Sequence, residues 1–116
     1  MTFDFENLSV YAKAREARKS LYAALSKGKS IDRITTDQLR RASLSIILNI
    51  AEGTGKASKA DKKNFYTVAR GSVYETVAIL DVLLDDGIIS LDTQQTLYSL
   101  YEELSKMLLG LINSLK

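Results

Sequence analysis

Two carboxylates, Glu52 and Glu75, and one amide, Asn49, sit inside long apolar stretches of this 116-residue chain. Burying such a group without a partner costs several kcal/mol, so each must find one. A cation is one possible partner, and carboxylates pooled in a helical core are the usual ligands of a di-metal site. Those sites also use Glu-x-x-His motifs, and the chain has no His. It has no Cys either, so a thiolate ligand, a disulfide and a Cys nucleophile are excluded. Asp85-Asp86 and Glu102-Glu103 are adjacent pairs, and neighbours in sequence diverge on a helix. The expectation is no metal, no cofactor and no enzymatic activity.

A second chemistry is suggested by Gly53-Thr54-Gly55-Lys56, which resembles part of a phosphate loop. The full motif needs Gly five positions before Gly55, where Ile50 stands, and Ser or Thr after the Lys, where Ala57 stands. It should also follow a strand, and this stretch follows a helical run. Gly53 and Gly55 therefore read as a helix stop. A third chemistry is phosphate binding by basic residues interleaved with aromatics. Lys56, Lys59, Lys62 and Lys63 precede Tyr66, and Lys13, Arg15, Arg18 and Lys19 lie between Tyr11 and Tyr22. With a net charge of only +2 a solvated surface is the favoured reading for a monomer; the lysine cluster at 56–63 is the alternative, a candidate nucleic-acid surface that a ring would strengthen by bringing several copies onto one face.

Four helical segments must position these groups. Leu8, Tyr11, Ala14, Ala17, Leu21, Ala24 and Leu25 recur at three- and four-residue spacing, predicting a helix over about 8–27 that Gly28 ends. Thr35 and Gln38 have capping-box spacing before a helix over about 37–52. That helix is apolar nearly all round and so buried on more than one side. Ser58, with Asp61 three residues on, predicts the start of a third helix over about 59–85, with the stripe Phe65, Val68, Ala69, Ser72, Thr76, Ile79 and Leu83. Asp92 and Gln95 mark a fourth over about 93–115, with Leu97, Leu100, Tyr101, Leu104, Met107, Leu108, Leu111 and Leu115 along it. Short connections make neighbours antiparallel, giving one all-α domain over 1–116, an up-down-up-down antiparallel four-helix bundle.

In such a hairpin, a turn centred near residue 56 puts Arg41 within a helical turn of Glu75, and a partly buried ion pair between them is expected. Asn49 lies level with residues 63–65 and would cap or bridge near the turn. Glu52 lies close to the start of the third helix, where unpaired N–H groups favour its charge. Register and helix pairing are the roles these spacings support for the polar residues. The apolar excess on the second helix, with Tyr98, Tyr101 and Ile112 on the fourth, points to a surface shared with another copy.

Residues 1–70 hold 14 Lys/Arg against 7 Asp/Glu, and residues 71–116 hold 2 against 7, so the formal net charge of +2 conceals a strong polarity. The start, Met1-Thr2-Phe3-Asp4-Phe5-Glu6, lacks the basic and apolar regions of a signal peptide, and no apolar run approaches the roughly 20 residues of a membrane span. A cytoplasmic protein is expected.

Arg41-Ala42-Ser43-Leu44-Ser45-Ile46, Asn49-Ile50-Ala51-Glu52-Gly53-x-Gly55-Lys56, Ser58, Phe65-Tyr66-x-x-Ala69-Arg70-Gly71-Ser72 and Glu75 together resemble the signature of the bacterial four-helix-bundle proteins encoded in intervening sequences of large-subunit ribosomal RNA genes. The similarity covers essentially the whole chain, although Ile47 stands where that family often has Pro. The resemblance implies a bundle that assembles into a ring, with a pentamer favoured, and a molecular function not yet assigned. It also implies that Arg41, Asn49, Glu52, Arg70, Ser72 and Glu75 are signature positions without an established chemical role. A related fold, the accessory variability determinant of diversity-generating retroelements, is a basic pentamer that binds reverse transcriptase and nucleic acid. The implied partners are further copies of the chain and a nucleic acid or protein, with no membrane.

Overall fold

The spacing of apolar residues at three and four, unbroken by proline, produces four long helices and no strand among residues 3–115, which the computed structural model describes. They are α1 (Ser9–Leu25), α2 (Arg33–Thr54), α3 (Lys59–Asp85) and α4 (Leu91–Asn113), preceded by a 3-10 turn at Asp4–Asn7. Each helix packs on two neighbours, in the cycle α1, α2, α3, α4 and back to α1, and among the described residues the backbones of diagonal helices do not approach each other closely. The cross-section is therefore a square of helices, 26 × 23 Å across and 44 Å long. In the middle pair Ser45 meets Ser72 while Gly53 approaches Phe65 and Tyr66, so α2 and α3 run in opposite directions. None of the described helices is long and apolar enough to cross a membrane.

The ends of the helices show how local chemistry fixes the boundaries. Ser58 caps α3 as expected, its hydroxyl accepting from the Asp61 N–H at 3.1 Å. The other two starts differ from the capping-box reading. Asp32, not Thr35, caps α2: its carboxylate accepts from the Thr35 N–H at 3.0 Å, and the helix begins four residues earlier than expected, at Arg33. Ser90, not Asp92, caps α4, accepting from the Thr93 N–H at 3.1 Å. A cap side chain contributes about 1 kcal/mol. Ser90→Ala should cost that much in thermal unfolding followed by circular dichroism. Asp92→Ala removes only a first-turn charge and should cost about 0.5 kcal/mol or less. The opposite ranking would restore Asp92 as the cap. At the far end of α3, Gly87 takes φ +71° and lets the Ile88 N–H fold back onto the Leu83 carbonyl at 2.9 Å.

The core runs the length of the square: Ala14, Ala17 and Leu21 from α1, Leu39, Ile46 and Ile50 from α2, Ala69, Val73 and Leu80 from α3, and Leu97, Tyr101, Leu104 and Leu108 from α4. Tyr101, which the sequence placed both in the stripe of the fourth helix and in its surplus surface, belongs to the stripe and is buried, Ile112 is buried as well, and Tyr98 is exposed. Val68, expected in the α3 stripe, is also exposed. The centre of that stripe is shifted toward Val73 and Leu80, so Val68 falls on its outer edge.

Candidate functional site

The polar residues inside the apolar runs gather along the seam of α2 and α3. Asn49 Nδ2 donates to the Ser45 carbonyl at 2.8 Å and to Ser45 Oγ at 3.0 Å, and Ser45 Oγ lies 2.9 Å from Ser72 Oγ. Thr76 Oγ1 in turn donates to the Ser72 carbonyl at 2.8 Å. Asn49 thus reaches α3 through Ser45, and bridges in the middle of the pair rather than near the turn. Contacts across the seam lie more than a helical turn further along α3 than a turn centred on residue 56 allows.

The expected Arg41–Glu75 ion pair does not form. Both side chains are exposed, and the ion pairs among the described residues join Lys13 to Glu103 at 2.9 Å and to Glu16 at 3.9 Å. A charge left in water has little to gain from a neighbour, because screening reduces an exposed pair to about 0–1 kcal/mol. Glu52 is exposed as well, beside the 3-10 turn of residues 4–7. By helical spacing Arg41 and Glu52 fall beside Leu44 and Leu48 on α2 and Glu75 beside Val68 on α3, and all six are exposed.

The glycine–lysine stretch is not a phosphate cradle. Gly53 lies inside α2 and is buried against Phe65 and Tyr66, so it serves close helix approach rather than a stop. Thr54 is fully engaged: its hydroxyl bonds the Ile50 carbonyl and the Tyr66 hydroxyl, each at 2.8 Å, and its carbonyl accepts from Lys62 Nζ at 2.7 Å. Lys56 lies over the Phe65 ring at 5.0 Å. Lys59 and Lys63, one turn apart, are exposed.

Two further surfaces are each built from more than one helix. On the α1–α2 side Arg18 donates to Ser43 Oγ at 3.2 Å and to the Tyr22 hydroxyl at 2.7 Å, stacking over that ring at 4.6 Å. Arg40 from α2 reaches the same ring at 6.0 Å, and Arg15 lies over Tyr11 at 5.7 Å. The basic side is therefore a lateral face as well as an end. Arg18 and Tyr22 are four apart and detectable in sequence; Arg40 joins them from another helix and is not. On the α3–α4 side a cleft of about 340 Å³ lies between Tyr74, Val77 and Tyr98. Half-buried Arg70 stands in it, donating to the Ser105 carbonyl at 3.4 Å and stacking on Tyr74 at 5.2 Å. No group of three or more acidic residues that could hold a metal is present among the described residues.

These features can be set beside known proteins. Residues 6–110 match the model of the family described as 23S rRNA-intervening sequence protein. A similar solved structure is that of a protein of unknown function from the S23 ribosomal protein family of Bacteroides thetaiotaomicron. It is 26% identical, with a TM-score of 0.80, over 89% of this chain and 97% of that one. No curated protein matches.

Proposed function

The chain belongs to the 23S rRNA-intervening sequence protein family, and from that premise we propose that it is a non-enzymatic, homo-oligomeric helical scaffold or adaptor of the cytoplasm, with a pentameric ring favoured. The observation that carries this reading is the outward face of α2 and α3. Leu48 is 55% exposed and Val68 53%, with Leu44 beside them and Arg41, Glu52 and Glu75 around them. An apolar centre with a charged rim is the anatomy of a protein interface. Light scattering at micromolar concentration should give a multiple of the 12.9 kDa chain mass. Leu48→Glu should shift the protein to monomer while its helical circular dichroism is unchanged, because Leu48 is outside the core. A monomeric parent protein would remove the reading.

A second reading, an accessory protein that binds RNA or DNA, is supported by the exposed pair Lys59 and Lys63 and by the arginine–tyrosine stacks of the α1–α2 side. Binding of a structured RNA by the assembled protein should then weaken steeply with salt, since each phosphate contact releases counterions. Reversing Lys59 and Lys63 to Glu should lower affinity about tenfold, or roughly 1.4 kcal/mol, in fluorescence anisotropy. Reversal of Arg15 and Lys19 tests the lateral face in the same way. No binding at low salt would remove this reading.

A further inference from the structure

The homo-oligomer reading leaves open what covers the outward α2–α3 face. We propose that its occupant is the α3–α4 cleft of a second copy, and that this head-to-tail contact closes a small ring. The inference rests on the homo-oligomer reading and adds the identity of the two mating surfaces.

The two surfaces are complementary in chemistry. One is a ridge of exposed apolar side chains centred on Leu44 and Leu48. The other is a cleft of about 340 Å³ walled by Tyr74 and Tyr98, which are 60% and 43% exposed although they are large and apolar. Their charges are also matched. Arg41, Glu52 and Glu75 border the ridge; Arg70, Lys106 and Glu102 line the cleft. None of the six forms an ion pair within the chain among the described residues. Two carboxylates and one cation therefore face two cations and one carboxylate. The order matches as well: α2 presents a cation and then a carboxylate, Arg41 and Glu52, and α4 presents a carboxylate and then a cation, Glu102 and Lys106. Both helices run opposite to α3, since Ser45 meets Ser72, Arg70 meets Ser105 and Asp81 meets Gln94. Arg41 and Glu52 are eleven residues apart and Glu102 and Lys106 four, about 16 and 6 Å along the axis, so two copies with parallel axes set the α4 pair between the α2 pair, with Glu102 on the Arg41 side and Lys106 on the Glu52 side.

The placement of the surfaces decides between a closed ring and a filament. A contact between unlike surfaces closes only if repeating it returns to the start without a rise along the axis. Both surfaces use the same stretch of α3: Val68 and Glu75 belong to the ridge, and Arg70, Tyr74 and Val77 to the cleft. They therefore lie at one height. They occupy adjacent sides of the helical square, so their outward directions differ by about a right angle. Each added copy turns by the remaining angle, and the chain of contacts closes after about four copies, or five where the corner opens slightly. A symmetric dimer through the ridge alone would leave the cleft and its tyrosines uncovered.

The test uses two variants that each spoil one surface. Leu48→Glu destroys the ridge and keeps the cleft; Tyr98→Glu destroys the cleft and keeps the ridge. Each alone should be a monomer in sedimentation velocity. Mixed in equal amounts they should form a dimer and nothing larger, because one good contact remains between them. A charge exchange gives a second measurement: Glu52→Lys and Lys106→Glu should each weaken assembly about tenfold, and the two together in one chain should restore it. If the parent protein assembles but Tyr98→Glu also assembles, or the mixture stays monomeric, the pairing of surfaces is wrong while the oligomer stands. A monomeric parent protein would overturn both.

Discussion

Gly53→Ala destabilises the bundle by about 1–3 kcal/mol, and Gly53→Val by more, measured by urea unfolding. Alanine is the better helix former by about 1 kcal/mol, so an exposed glycine in the same helix would give the opposite sign. At Gly53 the added methyl meets Phe65 Cβ at 2.7 Å and the Tyr66 ring at 3.1 and 3.3 Å. The Tyr66 ring is held by its hydroxyl on Thr54 at 2.8 Å. Phe65 Cβ is fixed to its backbone, so relief requires α3 itself to move away from α2. That movement would loosen the packing of Ile50 and Ala69, both fully buried. Gly110 gives the control. It lies within α4, is exposed, and an added methyl meets nothing within 4 Å. Gly110→Ala should therefore be neutral or stabilising by up to about 1 kcal/mol. If Gly53→Ala behaved like Gly110→Ala, the close approach of α2 and α3 would be wrong.

The same residue shows what the sequence carries and what it hides. Helix number, order and approximate extent follow from the three- and four-residue spacing, because a helix long enough to repeat its stripe several times leaves little ambiguity. The start of α3 was legible because Ser58 directly precedes its apolar stripe. The start of α2 was not: its first turn exposes Ile34, at 75%, so no stripe announced it, and Thr35 with Gln38 imitated a cap. A glycine near a helix end looks the same whether it stops the chain or admits a neighbour, and only the position of Phe65 distinguishes the two. Pairing across helices was the least legible level. Arg41 and Glu75 are close in height, yet both point to water. The ridge and the cleft are each built from two helices, and the sequence gives no sign that Tyr74 and Tyr98 share a wall.

Tyr101 is the other position where one atom decides the sign of an effect. Its side chain is fully buried, and its hydroxyl has no hydrogen-bond partner among the described residues. The ring fills space that nothing else can, so Tyr101→Ala should cost about 3–5 kcal/mol. The hydroxyl is a liability, since a buried polar group without a partner costs about 1–3 kcal/mol. Tyr101→Phe keeps the ring, removes the liability and should raise stability by about 1 kcal/mol. Burial pushes the phenol well above its ordinary pKa of 10.0, with the nearby Arg18 charge opposing in part. The folded state therefore keeps this proton where the unfolded chain begins to lose it. The parent protein holds its full stability, as far as this group is concerned, below pH 10, and loses it as pH rises through the elevated folded value. Tyr101→Phe lacks that loss, so its advantage over the parent should widen above pH 10 in thermal unfolding. A lower melting temperature for Tyr101→Phe at neutral pH would mean that the hydroxyl has a partner.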